Sequence, residues 1–594
     1  MQYKKLCEVY EELEKDSSRL KKTEIVSEFL KNLKKDIIRN DKNLEIIYLL
    51  QGRTWPDYIE KEFGISTQLT IKAIAKASGT NEKELIHKFK KIGDLGKVAE
   101  EVFKHKKQST LYSQVLTTDK VIENLKKLPE LQGKGSVDKK MSIIAELLSS
   151  SSSIEAKYIT RTLLNDLRIG LGSGTIRDSI TWACFDKEDK TNFEIVQEAY
   201  DRSTDFALVF EKACKGKKSL ETIELTPGKP IKVMLALKAE NIADGFERVG
   251  KPCALEFKYD GFRMLINKDE KGKVRIFTRR LDEVTLQFPE VVEYVKKNIK
   301  AKSFILDSEA VGFNAKTKKY LPFQNISQRI RRKYDIKKLE KEMPVEINAF
   351  DILYLNGKSL INEPFEKRTK LLRNLIKKEK WKFITSEQLI TDNEKQAEAF
   401  YKRAIDAEEE GIMFKSLSSP YKPGARVGHM LKLKPSEKEL DLVIVGAEYG
   451  EGKRAGWLSS FDVACLDEDN ECFVEIGKVG TGIKEKEQKE QVKTENKSSN
   501  EDIRDHITFE ELTKLLKPLI TKEEGKHIKV KPKIVITVVY QNIQKSPTYE
   551  SGFALRFPRF TRLRDEKDKP LKEIATLKEV KTDFDRLNEW RRAA

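Results

Sequence analysis

The stretch of sequence that decides the fold is Glu256-Phe257-Lys258-Tyr259-Asp260-Gly261-Phe262-Arg263. Residues 254–257 predict a strand and Asp260-Gly261 is a turn signal, so the Lys258 amine is expected where a strand gives way to an exposed loop. A lysine that acts as a nucleophile near neutral pH needs a lowered pKa, which cationic neighbours, a metal ion or partial desolvation can supply. Arg263, at the start of the next predicted strand, is one such neighbour. Taken alone, a Lys-x-Asp-Gly sequence would more often belong to a surface hairpin.

Six further blocks follow the lysine motif along the chain. They are Thr278-Arg279-Arg280, Phe304-Ile305-Leu306-Asp307-Ser308-Glu309-Ala310, Ala349-Phe350-Asp351, Glu410-Gly411-Ile412-Met413-Phe414-Lys415, Leu431-Lys432-Leu433-Lys434 and Leu555-Arg556-Phe557-Pro558-Arg559-Phe560. The lysine motif matches the nucleotidyltransferase signature of the ligases that form a covalent AMP adduct. With the blocks in their family order, the chain resembles an ATP-dependent DNA ligase of the archaeal and eukaryotic replicative type. Each block alone is a weak pattern. Their joint occurrence favours a catalytic role for the Lys258 motif over the alternative of a surface hairpin.

Composition is consistent with a large intracellular protein that binds a polyanion. The 594 residues suggest three or four domains, and a formal charge of +18 indicates nucleic acid as the simplest partner. The six cysteines form no C-x-x-C pair, which argues against a zinc or redox motif and for a reducing compartment. We find no signal peptide and no apolar run of membrane-spanning length, so a cytoplasmic location is expected, nucleoid-associated in a prokaryote.

The apolar pattern changes twice along the chain. It has helical spacing before Thr226-Pro227-Gly228-Lys229-Pro230 and alternates between strands and helices after it, where residues 263–266 and 274–277 flank a turn as in a hairpin. From about residue 440 it consists of short β-type runs, among them 442–445, 463–466 and 534–540. The resemblance implies a multidomain protein: an all-α DNA-binding domain over 1–225, an α+β nucleotidyltransferase (adenylation) domain over 232–435 and an all-β OB-fold domain over 436–594. Residues 484–505 are almost entirely polar and are expected to form a mobile insertion.

A glycine-rich segment in the helical part is a candidate DNA contact. Ser152-Ser153-Ile154-Glu155 fits a capping box that starts a helix, and the predicted helix ends in Arg168-Ile169-Gly170-Leu171-Gly172-Ser173-Gly174. These glycines could be an ordinary helix stop, but exposed amides at helix ends also bind phosphates. The resemblance implies that Arg168, Gly170 and Gly172 hold the backbone of nicked duplex DNA.

The resemblance also implies a reaction in three steps, with functions in DNA replication, repair and recombination. Lys258 attacks the α-phosphorus of ATP, expels pyrophosphate and keeps AMP as a phosphoramide. The AMP moves to the 5′-phosphate at a nick, and the adjacent 3′-hydroxyl then displaces it. Such displacements depend on positioning and cationic stabilisation, and Mg²⁺ or Mn²⁺ is expected to screen the polyphosphate.

Further residue roles are carried over from the family. The implied nucleotide contacts are Glu256, Arg263, Arg279, Glu309, Phe350, Arg426, Lys432 and Lys434, and the implied metal carboxylates are Glu309 and Glu410. Within this set Glu256 would read adenine, Phe350 would stack on it, and Glu309 would bind the ribose. Taken singly, Phe350 would more often be core packing, and Lys432 and Lys434, on one strand face, would be solvated. Their roles are assigned because they accompany Lys258.

Arg562-Leu563-Arg564-Asp565-Glu566-Lys567 resembles the family segment that faces the β- and γ-phosphates during the first step. Arg564 and Lys567 are therefore expected to contact the triphosphate in a closed state. The usual pattern ends R-x-D-K, and Glu566 replaces its aspartate with a side chain one methylene longer. The negative charge is kept, so we expect at most a mild effect on self-adenylation.

The run Lys107-Gln108-Ser109-Thr110-Leu111-Tyr112-Ser113-Gln114 resembles the short clamp-binding motif of archaeal ligases. Gln108 would bond at the rim of a pocket on a ring-shaped sliding clamp, and Leu111 and Tyr112 would fill it. The usual motif has two aromatic residues where this chain has only Tyr112. The alternative is a loop whose apolar side chains fold onto the protein's own core.

Other functions are weighed against this one. An mRNA-capping guanylyltransferase or RNA ligase is disfavoured by the long helical region, and an NAD-dependent ligase by the absence of a four-cysteine zinc motif. A DNA-binding scaffold with a decayed site is disfavoured because Lys258 and the phosphate-binding cations remain. We therefore expect a monomeric, ATP-dependent DNA ligase.

Overall fold

The protein is described here by a computed structural model. It describes residues 1–40, 44–59, 61–104, 115–321, 323–330, 332, 334–407, 409–435, 438–450, 454, 456–485, 507–564 and 569–593. The chain divides into two compact units, one of Met1–Tyr401 with Ile412–Leu433 and one of Lys402–Gly411 with Lys434–Ala594. No helix among the described residues has the length and apolarity needed to cross a membrane.

The first part of unit 1 is helical, as the spacing of its apolar residues predicts. Val26, Leu30 and Ile74, three residues of that pattern, lie in one continuous core. The helices are α1 (Tyr3–Lys15), α2 (Arg19–Asn40), α3 (Ile46–Leu49), α4 (Thr67–Ser78), α5 (Glu82–Ile92), α6 (Leu95–Lys104), α7 (Thr118–Lys127), α8 (Ser136–Ser149), α9 (Ser153–Leu163), α10 (Ser173–Cys184), α11 (Lys190–Ser203), α12 (Phe206–Cys214) and α13 (Lys217–Glu221).

Helix α9 confirms the predicted capping box but ends earlier than its apolar pattern suggested. The Glu155 carboxylate accepts a hydrogen bond of 2.8 Å from the Ser152 backbone N–H, and the helix ends at Leu163. The glycine-rich run therefore lies in the loop that leads into α10. Asn165 and Arg168 have φ of 53° and 58°, which turns the chain out of the helix, while Leu167 stays buried from the loop. Apolar spacing alone could not distinguish this loop from a further helical turn.

The rest of unit 1 contains two sheets with helices beside them. Their orders are β1-β11-β10-β2-β9 and β4-β3-β5-β6-β7, with β8 parallel to β6 and β1 parallel to β11. The elements in this part of the chain are β1 (Leu235–Lys238), α14 (Ile242–Val249), β2 (Cys253–Phe257), β3 (Phe262–Lys268), β4 (Val274–Thr278), α15 (Pro289–Asn298), β5 (Phe304–Gly312), α16 (Phe323–Ile330), α17 (Ile336–Glu342), β6 (Val345–Leu355), β7 (Lys358–Ser359), α18 (Phe365–Leu375), β8 (Phe383–Thr385), β9 (Gln388–Thr391), α19 (Glu394–Asp406), β10 (Ile412–Ser416) and β11 (Arg426–Leu433).

The loop that carries Lys258 is held between the two sheets by a close backbone approach. Strand β2 ends at Phe257, so Lys258 follows its last residue, as predicted, and β3 and β4 form the predicted hairpin. A Cβ added at Gly261 would collide with the carbonyl oxygen of Ala310 on β5. Glycine is therefore required here because any side chain would push the loop off β5.

Unit 2 is built on an antiparallel sheet. Its order is β14-β13-β12-β16-β15, with β17 pairing β12 and β20, and β18 and β19 form a separate hairpin. The predicted strands over residues 442–445, 463–466 and 534–540 are present. The elements are β12 (Lys438–Tyr449), β13 (Leu458–Asp467), β14 (Cys472–Val479), α20 (Phe509–Leu516), β15 (Ile520–Glu524), β16 (His527–Val530), β17 (Val535–Tyr540), β18 (Asn542–Lys545), β19 (Phe553–Arg556), β20 (Arg559–Arg564) and α21 (Leu577–Ala593). Of the predicted insertion, 486–505 lie outside the described residues.

One buried carboxyl makes the stability of unit 1 depend on pH. Asp201, near the end of α11, is buried against the backbone of Gly424 and accepts a hydrogen bond of 2.8 Å from Gln197 Nε2. Burial raises the pKa of Asp201 to about 6. The folded state then binds the Asp201 proton more tightly than the unfolded state does. The protonated carboxyl therefore stabilises the fold below the pKa of Asp201 in the unfolded chain, and this stabilisation is lost as pH rises through the folded-state pKa of about 6.

We expect Asp201→Asn to become more stable relative to the parent as pH rises from about 4 to 7, by an order of 1 kcal/mol or more. An amide carries no charge to desolvate, and its oxygen can still accept from Gln197. Urea unfolding of both proteins across this pH range measures the difference. A difference that does not change with pH would show that Asp201 titrates as it does in the unfolded chain.

Candidate active site

A cleft of about 1610 Å³ in unit 1 brings most of the predicted nucleotide residues together. Lys258 lies in it at the end of β2, next to the loop fixed by Gly261. The other predicted residues that line the cleft are Glu256, Arg263, Arg279, Glu309, Phe350, Arg426 and Lys432. Residues spread over some 180 positions of sequence therefore share one concave surface, as ligand sites require.

Strand register explains how these side chains converge. In the first sheet Glu256 on β2 is the partner of Met413 on β10, and Met413 is the partner of Lys432 on β11. In the second sheet Arg263 on β3 is the partner of Glu309 on β5. Directly opposed residues project to the same face of a sheet, so each sheet presents a row of side chains to the cleft, all of them polar except Met413.

Arg263 is fixed by a buried network. Its Nε and Nη2 donate to the two carboxylate oxygens of Asp307 at 2.9 and 2.5 Å, and its Nη1 donates to the Met234 carbonyl at 2.6 Å. The Tyr421 hydroxyl donates to Asp307 at 2.7 Å and lies 3.3 Å from Arg263 Nη2. Burial alone would lower the pKa of Arg263, but Asp307 and Tyr421 raise it above its ordinary value. The guanidinium thus stays charged and has little rotational freedom.

Glu256 is a buried acceptor that two donors hold in place. Its Oε2 accepts from Lys415 Nζ at 2.6 Å and its Oε1 accepts from Gln388 Nε2 at 2.8 Å. Its side chain is only 2% exposed and that of Lys415 only 7%. Each carboxylate oxygen can accept a further hydrogen bond, so Glu256 is suited to receive one from an exocyclic amine.

Phe350 combines core and cleft environments. It is half-buried in β6 and lines the cleft, with Lys415 Nζ 4.5 Å and the Arg263 guanidinium carbon 5.4 Å from its ring centroid. The β5–β6 register shifts opposite this residue, between Asp307 and Ser308. A bulge re-aims the local side chain, and this explains why a residue in an apolar strand reaches the cleft.

Three of the predicted residues that the structure describes belong to the other unit. Glu410 and Lys434 both lie in unit 2, where the carboxylate of Glu410 pairs with Lys434 Nζ at 2.5 Å. Arg564, also in unit 2, pairs with Asp441. Lys567 lies outside the described residues.

The predicted DNA contacts Arg168, Gly170 and Gly172 are not among the residues that line the cleft. Arg168 is half-exposed and its Nε donates to Asp166 at 2.6 Å. Gly170 has φ of 61°, and Gly172 precedes α10 as its N-cap. The clamp residues Gln108, Leu111 and Tyr112 lie outside the described residues.

Sequence reasoning missed several residues that build the site. Asp307 and Lys415 belong to two of the sequence motifs, 304–310 and 410–415. The signal that could have identified them was an acid or a lysine among apolar residues near a predicted ligand. Gln388 and Tyr421 gave no local signal, because their contacts arise only from sheet pairing and burial. Trp55, from the helical part, also lines the cleft, and nothing in its sequence neighbourhood predicted this.

Comparison with known proteins decides the family. Residues 2–181, 233–434 and 454–567 match family models described as "DNA ligase N terminus", "ATP dependent DNA ligase domain" and "ATP dependent DNA ligase C terminal region". A DNA ligase of Nanoarchaeum equitans is 45% identical over 583 residues, covering 98% of both chains. A DNA ligase of Thermococcus fumicolans is 41% identical over 571 residues, covering 96% of both. The chain belongs to the ATP-dependent DNA ligase family.

Family membership confirms the resemblance drawn from the sequence. This ligase has the N-terminal, adenylation and C-terminal parts of the family, and it seals nicks in DNA through an adenylate intermediate at the expense of ATP. A solved structure called "Pmar-Lig_PreS3" has a similar fold, with a TM-score of 0.51 at 18% identity, covering 94% of the ligase and 99% of that chain.

Proposed function

We propose that Lys258 is the residue through which this ligase carries AMP as it seals single-strand nicks in duplex DNA. The cleft carries this proposal, because Lys258 shares it with the ring of Phe350, the carboxylates of Glu256 and Glu309, and several cations. A nucleoside triphosphate requires these surfaces for its base, its ribose hydroxyls and its phosphates.

Different side chains have different roles in the first step. Lys258 Nζ forms a bond to the α-phosphorus of ATP as the bond to pyrophosphate breaks, and the amine loses its proton. Arg279, Arg426 and Lys432 line the same cleft and are proposed to offset the charge that develops on the phosphoryl oxygens. From its motif alone, Lys434 is assigned to the same task. The AMP then passes to the 5′-phosphate, and the 3′-hydroxyl displaces it.

Adenine recognition is proposed to rest on Phe350 and Glu256. A base stacked on the half-buried ring of Phe350 would lie near the Glu256 carboxylate, since Lys415 contacts both. Adenine presents an amino group that donates to such a carboxylate. Guanine presents a carbonyl oxygen at the same position, which would repel it. The arrangement therefore favours ATP over GTP.

We propose Mg²⁺ or Mn²⁺ as the metal, with Glu309 and Glu410 as protein ligands. No cluster of three or more His, Cys, Asp or Glu side chains suited to a metal ion occurs within the described residues. Mg²⁺ typically binds through one or two carboxylates completed by substrate phosphate oxygens, and the Glu309 carboxylate in the cleft fits that donor set. A bound ion would screen the polyphosphate charge.

The same proposal extends to DNA binding and to the domains. We assign an all-α DNA-binding domain to 1–225, an α+β adenylation domain to 232–435 and an OB-fold to 436–594. The antiparallel sheet of unit 2 supports the OB-fold, and the net charge of +18 supports binding to duplex DNA. The ligase is proposed to act as a monomer. Arg168, Gly170 and Gly172 are proposed to contact its backbone.

Labelled nucleotides test the proposal directly. The ligase is incubated with Mg²⁺ and labelled ATP, GTP or NAD, and the acid-labile adduct is mapped by peptide analysis. We expect an adduct from ATP at Lys258, followed by transfer to a nicked duplex and sealing. An adduct on another residue, or one formed preferentially from GTP, would contradict the assignment.

A sliding clamp is proposed as a further partner on the motif resemblance of Gln108, Leu111 and Tyr112. Leu111→Ala/Tyr112→Ala is expected to leave sealing of a short nicked duplex unchanged and to remove stimulation by a cognate clamp, because both apolar anchors are lost. Sealing assays with and without the clamp measure this. Equal loss of both activities would mean that the two side chains support the fold.

A further inference from the structure

Asp441 in unit 2 connects three strands of the sheet. It lies on β12 opposite Thr537 on β17, and Thr537 lies opposite Arg562 on β20. Thr537 Oγ1 donates to Asp441 Oδ1 at 2.6 Å, and the backbone N–H of Ala575 donates to the Asp441 carbonyl at 2.9 Å. The Asp441 side chain is only 14% exposed, so its carboxylate has a fixed place in the sheet.

Two cations from either side of one motif converge on this carboxylate. Nε of Arg564 lies 3.3 Å from Asp441 Oδ1, and Nη2 donates to Oδ2 at 3.3 Å. Lys569 Nζ lies 3.6 Å from Oδ2. Arg564 precedes Asp565-Glu566-Lys567 and Lys569 follows it. Both flanks of the motif proposed to face the triphosphate are thus tied to one acidic residue.

We infer that Asp441 is a positioning residue for the first step of the reaction. By engaging the Nε–Nη2 edge of the guanidinium through both carboxylate oxygens, it restricts the Arg564 side chain to one orientation before ATP arrives. A preoriented cation loses less conformational freedom when it meets the β- and γ-phosphates. The inference rests on the proposed function, because Arg564 must contact the triphosphate for its orientation to matter.

Self-adenylation and the sealing of a pre-adenylated nick can be measured separately, and the two measurements distinguish a positioning role of Asp441 from a structural one. Self-adenylation needs the triphosphate contacts, whereas sealing of a pre-adenylated nick uses no ATP. We expect Asp441→Asn to lower the rate of self-adenylation at saturating ATP by about tenfold or more, with sealing of a pre-adenylated nick within about twofold of the parent. The double variant Asp441→Asn/Arg564→Ala should be no slower than Arg564→Ala, since Asp441 acts through Arg564.

Asp462→Asn is the matched control. Asp462 lies on β13 of the same sheet, is similarly buried, and pairs with Lys478 at 3.3 Å; we expect it to retain both activities. Should Asp441→Asn fail to fold, Thr537→Val removes the hydroxyl that orients the carboxylate and should slow self-adenylation selectively, by a smaller factor.

The outcomes also distinguish this inference from the proposed function. Unchanged self-adenylation in Asp441→Asn, or a parallel loss of both reactions with a lowered Tm, would overturn the positioning role. If Arg564→Ala itself self-adenylates normally, the proposed triphosphate contact fails and the inference fails with it. If Arg564→Ala is slow and Asp441→Asn is not, only the inference fails.

Discussion

Replacing Lys258 by alanine is expected to abolish formation of the AMP adduct and sealing with ATP, a loss of more than about 1000-fold. Lys258 follows the last residue of β2 and lines the cleft with Glu256, Arg263 and Phe350. No alanine atom can supply the phosphoramide nitrogen. Sealing of a pre-adenylated nick should survive in part, because the last step uses AMP already attached to DNA.

Lys367→Ala provides the control for this prediction. Lys367 lies on α18 of the same domain, is half-exposed and pairs with Glu363 at 2.8 Å. It should form adduct at the parent rate. Gel analysis with labelled ATP, beside single-turnover sealing of the pre-adenylated nick, measures both steps. An adduct formed from ATP by Lys258→Ala would disprove the nucleophile assignment.

Asp307→Ala is expected to destabilise the adenylation domain strongly. Asp307 is fully buried and takes both hydrogen bonds of the Arg263 fork. Removing it leaves Nε and Nη2 of the buried Arg263 guanidinium, and the Tyr421 hydroxyl, without their carboxylate acceptor. We expect a decrease in the free energy of unfolding of about 3–5 kcal/mol. Self-adenylation should also fall by about 100-fold, because Arg263 is no longer held in the cleft.

Glu290→Ala separates these two effects. Glu290 and Arg329 form an equally buried pair at 2.7 Å on α15 and α16, and neither is among the described residues that line the cleft. This variant should lose comparable stability in urea unfolding. At a temperature where it stays folded, it should keep its self-adenylation rate. Equal loss of self-adenylation in both variants would show that Arg263 matters only for folding.

The sequence by itself determined the family and the order of the helical, mixed and β-rich parts of the chain. The motif around Lys258 predicted a strand end followed by a hairpin, and both are present because local turn chemistry and apolar alternation decide such elements. The capping box at Ser152 was predicted for the same reason, since all its partners lie within one helical turn. Most of the nucleotide-binding residues to which the family resemblance pointed line the cleft.

Only the tertiary structure decided which partners those residues have. Asp307 meets Arg263, and Gln388 meets Glu256, because strands far apart in sequence pair in a particular register, and register is not a local property. The end of α9 was predicted too late, since a buried loop side chain imitates the periodicity of a helix. Asp441 gave no signal in the sequence. Its contacts with both flanks of the Arg564 motif arise because β12, β17 and β20 lie side by side in the folded sheet.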